Sequence, residues 1–131
     1  MWLSQVIQAT YGHLARWVDG GAPPPSAPYL EFSGLTKVRN ELGLAQGGIQ
    51  LSQVAVPTAL NTGSNSGPSF CILFGTHVPF DEAQLDALYR NHGQYVVSVA
   101  RVDEANVDAG YLLPADAHEN HVDAAHADVG K

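Results

Sequence analysis

The sequence has little cysteine, few basic residues and no long apolar run. Its single cysteine, Cys71, excludes a disulfide framework within the chain and a metal site built from several cysteines. No stretch approaches the roughly 20 apolar residues of a membrane-spanning helix. Six lysines and arginines against 13 aspartates and glutamates give a net charge of −7, the wrong sign for a surface that contacts phosphates. We therefore expect no membrane and no nucleic acid as partner, and the compartment stays open.

The composition is typical of one small folded domain with much irregular structure. The 131 residues are 45% hydrophobic and 15% charged, which is too apolar for a disordered chain. Thirteen glycines and eight prolines indicate many turns and extended segments. Six histidines make the charge sensitive to pH, because their protonation would move the net charge from −7 to −1. A pH-responsive role is one hypothesis that this balance allows.

The chain begins with the pattern of an amphipathic helix. Apolar residues recur at helical spacing over residues 3–18, and polar residues occupy the other side. Gly20 and Gly21 are placed to end this helix. The prolines at 23–25 and at 28 then favour an extended, polyproline-like path without backbone donors.

Short strands are the next expectation. Residues 29–32 and 35–39 are candidate strands on either side of a turn at Gly34. Residues 49–59 contain Pro57, which fits an edge or a loop better than a central strand. A Gly/Pro-rich arm of this length, residues 20–69, is unusual in a free-standing domain and natural on a larger body.

Two helices are predicted after the arm, joined as a short hairpin. Asp81 and Gln84 have the spacing of a capping box, and Gly93 is placed to end the helix that they begin. A second helix fits residues 94–109, with Gly110 as its stop. One stripe of this second helix consists of Tyr95, Val99, Val102 and Asn106.

The C-terminal residues, 115–131, are mostly alanine, histidine and aspartate, and we expect a frayed tail there. Within it His118 and His121 alternate with carboxylates, a ligand supply that suits zinc or nickel. On a helix these two histidines would be neighbours, whereas His126 would point about 140° away from His121. A metal site at His118 and His121 and a merely solvated tail are both open interpretations.

Candidates for catalysis and binding are few. The chain contains no G-x-S-x-G motif, the sequence mark of a serine nucleophile on a tight turn. Cys71 lies in an apolar run, where a thiol is ordinarily an inert small hydrophobe. His77, with Phe74 and Phe80, is the candidate lining of a substrate pocket. Large rings such as Trp2 are core candidates first, because they bury so much area. We expect no catalytic residue and no cofactor.

The order of several segments carries a resemblance. These segments are residues 14–25, 47–58, 70–75, 79–81 and 109–116, together with the intervening Leu88-Tyr89, His92 and Tyr95-Val96. In this order they resemble the C-terminal portion of a bacterial α/β-hydrolase domain family, serine hydrolases of the esterase type, over about residues 3–117. The sequence departs from the family pattern at Gln50, where an arginine is usual, and at residues 44–46, where an asparagine-containing turn is usual.

The resemblance implies an α/β or α+β fragment whose nucleophile elbow, acid and catalytic histidine lie upstream of Met1. It divides the chain into a terminal helix of a hydrolase-like body at 1–19, the extended arm at 20–69, a helical segment at 70–117 and a flexible tail at 118–131. Whether the chain is an enzyme therefore stays uncertain, since the family is hydrolytic but no triad is recognisable here.

Three hypotheses for function follow. The first is a non-catalytic section of an ester-hydrolase-like protein, which completes the core or the substrate cleft. Its partner would be the remainder of a hydrolase body, or a second copy through self-association. The second is a small protein-interaction module that uses the same exposed apolar faces. The third is a metal or pH sensor based on the histidine tail.

Overall fold

The fold is known from a computed structural model, which describes residues 3–131 and side chains from Ser4 onward. The helices are α1 (Leu3–Val18), α2 (Ser52–Ala55), α3 (Glu82–Leu88), α4 (His92–Asp108) and α5 (Pro114–His126), with a 3₁₀ helix at Ser69–Leu73. The strands are β1 (Phe32–Ser33), β2 (Thr36–Lys37), β3 (Ala59–Thr62) and β4 (Thr76–Pro79). This mixed content confirms the predicted α/β or α+β class.

The predicted N-terminal helix is confirmed as α1, with the predicted stop after it. Gly20 has a φ of +88°, and the N–H of Gly21 donates to the carbonyl of Arg16 at 2.8 Å. Ala9 packs inward and is buried, whereas Tyr11 and Trp17 are 69% and 52% exposed. Part of the apolar face of α1 therefore has no cover within the described residues. The predicted core residue Trp2 lies outside them.

The strands form two separate antiparallel pairs. β1 and β2 form a hairpin around Gly34, whose φ is +61°. Each strand has two residues and is shorter than the sequence predicted. β3 pairs with β4 along their full length, from Ala59 opposite Pro79 to Thr62 opposite Thr76. Pro57 lies outside both pairs, between α2 and β3, as its missing N–H favours.

The core lies where α4 and α5 meet the segments that follow α2 and α3. Its buried members are Val56, Tyr89, Tyr95, Val99, Ala124 and Val129, and Leu85 and Leu88 of α3 pack against them. The Tyr89 hydroxyl donates to the carbonyl of Pro57 at 2.8 Å. A second small cluster contains Leu51, Leu112 and Ala117.

The helical hairpin consists of α4 and α5, not of the two helices that the sequence paired. The ring nitrogens of His92, at the start of α4, lie 3.0 Å from the Val129 carbonyl and 3.1 Å from that of Ala125. The two helices are therefore antiparallel. Gly93 does not end α3, because α3 ends at Leu88 and Asn91 caps α4 by accepting a hydrogen bond from the N–H of Gln94.

The predicted frayed tail is also wrong, because residues 114–126 form α5. Pro114 occupies the first turn, where its missing N–H costs nothing. Ala117, Asn120 and Ala124 recur at helical spacing and are buried. Small side chains at these positions let α5 lie close to α4 without branched aliphatic residues.

No helix among residues 3–131 is both long and apolar enough to cross a membrane.

Candidate functional site

A cavity of about 420 Å³ lies between α1, α2, β3 and the α4–α5 hairpin. Its lining is mainly polar, and the few apolar members come from the core. The lining residues are Ser4, Gln5, Gln8, Ser52, Gln53, Val56, Thr58, Asn61, Tyr95, Val99, Asp116, Glu119, Asn120, Asp123, Ala124 and Ala127. Four separate segments of the chain therefore build this site, and α5 contributes all of its carboxylates.

Asn120 is the point where three helices meet in this cavity. It is 8% exposed, and its side-chain oxygen accepts hydrogen bonds from Gln5 Nε2 at 2.8 Å and from Gln53 Nε2 at 3.2 Å. Gln5 belongs to α1 and Gln53 to α2, so one amide holds both helices against α5. Asn120 shares the buried side of α5 with Ala117 and Ala124, and its amide therefore lies inside the fold.

Asp103 neighbours the lining residues Ser52 and Asn120 and is fully buried. Burial raises the pKa of its carboxyl group, and nearby Ser52, Asn120 and His121 oppose that rise. His121 Nε2 is 3.8 Å from Asp103 Oδ2, beyond hydrogen-bond distance. Neither carboxylate oxygen has a hydrogen-bond partner of ordinary geometry among the described residues. This carboxyl group therefore tends to hold its proton above the pH range usual for aspartate.

Ser52, Asp103 and His121 have the residue types of a catalytic triad but not its order. A nucleophilic serine needs the imidazole between its hydroxyl and the carboxylate, so that the imidazole can accept the hydroxyl proton. Here Asp103 is the group that both Ser52 and His121 approach. Ser52 is also 3% exposed, at the start of α2, which leaves little room for an acyl group. We conclude that these three residues do not form a serine nucleophile.

Tyr95, another lining residue, has a raised pKa. Burial raises the pKa of its phenol, and the carboxylates of Asp123 and Asp103 raise it further. The charge around this site is therefore negative.

The residues predicted to line a substrate pocket lie elsewhere. Phe74 follows the 3₁₀ helix and is exposed, His77 is exposed in β4, and Phe80 is partly buried after β4. None of the three is in the cavity lining. His77 has a link to the cavity, because its Nδ1 lies 2.7 Å from Oδ1 of Asn61, which is a lining residue.

The predicted metal ligands are both on α5. His118 is exposed and His121 is half-buried beside Asp103. Together with Glu104 and Asp108 they line a second, more open cavity. No group of three or more histidine, cysteine or acidic residues is placed to hold a metal ion within residues 3–131 as described.

Sequence reasoning missed Asp103 and Asn120. Asp103 is four residues after Val99 on the buried side of α4, and this helical spacing could have indicated a buried carboxyl group. Asn120 lies between Ala117 and Ala124 at helical spacing, but the segment was interpreted as a tail.

A family model described as an alpha/beta hydrolase domain matches residues 1–121. No curated protein matches the chain. No solved structure matches it either.

Proposed function

The chain belongs to the alpha/beta hydrolase domain family, and from this premise we propose that it is a non-catalytic, C-terminal section of an ester-hydrolase-like protein. In this role it completes the hydrophobic core of a hydrolase body or forms one wall of the substrate cleft. The partner is that body or, without it, a second copy of the chain. Neither a nucleic acid nor a membrane is part of the proposal.

The amount of exposed apolar surface is the observation that carries this proposal. The accessible surface is 8733 Å², about 2,000 Å² more than expected for a compact chain of this length. Large apolar side chains of α1 and of residues 70–74 are among the exposed ones: Ile7, Tyr11, Leu14, Trp17, Val18, Phe70, Ile72, Leu73 and Phe74. Obligate interfaces bury roughly 2,000–5,000 Å² in total and resemble a domain core cut in two.

The geometry at Ser52 supports the non-catalytic part of the proposal. Asp103, not His121, is the group nearest to pairing with the Ser52 hydroxyl. The serines of the loop between β3 and the 3₁₀ helix, Ser64 and Ser66, are exposed.

The purified chain should therefore hydrolyse no p-nitrophenyl ester and should not be labelled by a serine-directed fluorophosphonate. An active serine hydrolase in the same assay serves as the positive control. Labelling that disappears in Ser52→Ala would contradict the proposal and would identify Ser52 as a nucleophile. Labelling that persists in Ser52→Ala would also contradict it and would locate the nucleophile at another serine.

The same exposed apolar surface favours a second candidate, a small interaction module with a separate partner. The sensor hypothesis has less support, since His118 and His121 lack a third ligand among the described residues. Calorimetric titration with zinc tests it. Heat that is lost in His118→Ala and His121→Ala would support a sensor, and no heat would exclude zinc binding there.

A further inference from the structure

The last residues of the chain, 127–131, form a C-terminal strap that packs against the core where α4 begins. Val129 is 6% exposed and belongs to the main core cluster. The carbonyl of Gly130 accepts from the N–H of His92 at 2.7 Å, and a Cβ added to Gly130 would lie 2.8 Å from that same nitrogen. The strap begins at Ala127, which lines the cavity of about 420 Å³. It therefore covers part of the core at the edge of this cavity.

The His92 side chain has a carbonyl oxygen at each of its ring nitrogens. Nδ1 lies 3.0 Å from the Val129 oxygen in the strap, and Nε2 lies 3.1 Å from the Ala125 oxygen in the last turn of α5. A carbonyl oxygen only accepts, so each contact is a hydrogen bond only when the facing nitrogen carries a proton. Neutral imidazole has one N–H, and imidazolium has two. The imidazolium form therefore makes both hydrogen bonds, and the neutral form makes one.

The charged groups around His92 do not take the place of these carbonyls. No ion pair joins His92 to a carboxylate within residues 3–131 as described, and Asp128 of the strap pairs with Lys131 at 3.8 Å. The N-terminus of α4 disfavours a cation at His92, whereas the carbonyls that end α5 favour one and are in direct contact with the ring. The other titratable groups on the surrounding elements are Glu82 and Asp86 of α3, Arg90 and Tyr95 close by in sequence, and Asp123 and His126 of α5.

We propose that His92 is a pH-dependent clasp for the C-terminal strap. At mildly acidic pH the imidazolium ties the strap to the end of α5. As the pH rises through the range in which histidine loses its charge, one of the two hydrogen bonds is lost and the strap opens more often. Opening exposes the core position of Val129 beside the cavity. The proposal does not depend on the hydrolase role, because every group that it uses belongs to this chain.

The experiment measures hydrogen exchange of the His92 amide in the full chain by NMR. This N–H donates to Gly130, so its protection factor, which is corrected for the intrinsic pH dependence of exchange, reports strap opening. The protection factor should fall about tenfold between about pH 5.5 and about pH 8, the change expected for one hydrogen bond to a charged group. The fall should follow the loss of the ring proton, as read from the chemical shifts of the His92 ring nitrogens. A protection factor that stays constant or rises, or that falls over a different pH range from the ring titration, would overturn the proposal.

Three variants separate the ring from other groups that titrate. In His92→Asn the protection factor at position 92 should no longer change about tenfold, because the titrating ring is gone. His118→Asn is the matched control, since His118 is exposed on α5 and makes neither carbonyl contact, and it should keep the native pH dependence. Gly130→Ala displaces the strap without changing the ring and should lower the protection of the His92 amide at both pH values.

Three results with these variants would overturn the proposal: a tenfold fall that persists in His92→Asn, a fall that disappears in His118→Asn, or native protection in Gly130→Ala. If His92→Asn does not fold, the native chain decides by itself, through the agreement or disagreement between its protection factor and its ring titration.

Discussion

Asp103 puts a carboxyl group where the pattern of α4 would place an apolar side chain. Its neighbours across the helix packing are Ser52 of α2 and Asn120 and His121 of α5. These groups reduce the electrostatic cost of burial without removing it, because burial is the largest influence on the Asp103 pKa and raises it. A carboxyl group in this setting destabilises the fold when it is ionised.

The direction of the Asp103 pKa predicts how stability depends on pH. The folded-state pKa lies above the unfolded value of about 3.9, so the folded chain binds more protons between these two values. The Asp103 contribution to stability is therefore complete below the unfolded pKa and is lost as the pH rises through the folded one. Asp103→Asn should remove this loss and raise the free energy of unfolding at pH 7 by about 1 kcal/mol.

Urea denaturation of the native chain and of Asp103→Asn across a pH series measures this difference. Glu104→Gln is the control, because Glu104 is the neighbouring exposed carboxylate on the same helix. Curves for the native chain and Asp103→Asn that run parallel from pH 3 to pH 8 would show that Asp103 has no raised pKa.

At the scale of elements, the features set by local spacing could be predicted from the sequence. The features set by contacts between distant residues could not. The helix over residues 3–18 follows from repeated local spacing and the Asp81–Gln84 capping box from spacing within one turn, and both are confirmed. The helix α5 was missed because its burial comes from alanines that contact α4, not from a stripe of large apolar residues. The meeting of Gln5 and Gln53 with Asn120 joins residues 115 and 67 positions apart, which no local pattern can indicate. The sequence therefore could not predict the candidate site, although it predicted most of the helices that build it.

The end of α4 offers a test of how elements are held together. Gly110 has a φ of +80°, and an added Cβ there would lie 2.8 Å from His13 Nε2 on α1. The same ring nitrogen lies 2.8 Å from the Gly110 carbonyl, so this turn attaches α1 to the hairpin. Gly110→Ala should lower the free energy of unfolding by about 2 kcal/mol, through both backbone strain and displacement of His13.

Gly12→Ala is the matched control for this prediction. Gly12 lies inside α1, and an added Cβ meets nothing within 4 Å. It should stabilise the chain by roughly 0.5–1 kcal/mol, because alanine restricts the unfolded backbone more than glycine does. Thermal unfolding followed by circular dichroism compares the two variants. Equal shifts in the same direction would contradict the assigned role of Gly110.

At the scale of the whole molecule, α1 has two different sides. Ala9 is buried, and Gln5 and His13 bond to the α4–α5 hairpin, so one side is fixed to the fold. Tyr11, Trp17 and neighbouring apolar residues face away from it and are exposed. A helix held in this way presents its apolar residues as a defined surface, which suits docking on a second body better than local disorder would.

The isolated chain should therefore self-associate through this surface. Sedimentation velocity at about 10 to 100 µM should show a concentration-dependent increase in mean mass, and Tyr11→Lys combined with Trp17→Lys should restore a monomer. The two lysines reduce the net charge from −7 to −5, which weakens repulsion between copies, so dissociation would have to come from the lost apolar contact. Ala83→Lys combined with Ala87→Lys makes the same charge change at exposed positions of α3, away from α1, and should leave association intact. A native chain that stays monomeric over this range and unfolds cooperatively would contradict both the docking surface and the proposed hydrolase body. Such a chain would be a stable domain by itself, without the need to cover its apolar surface.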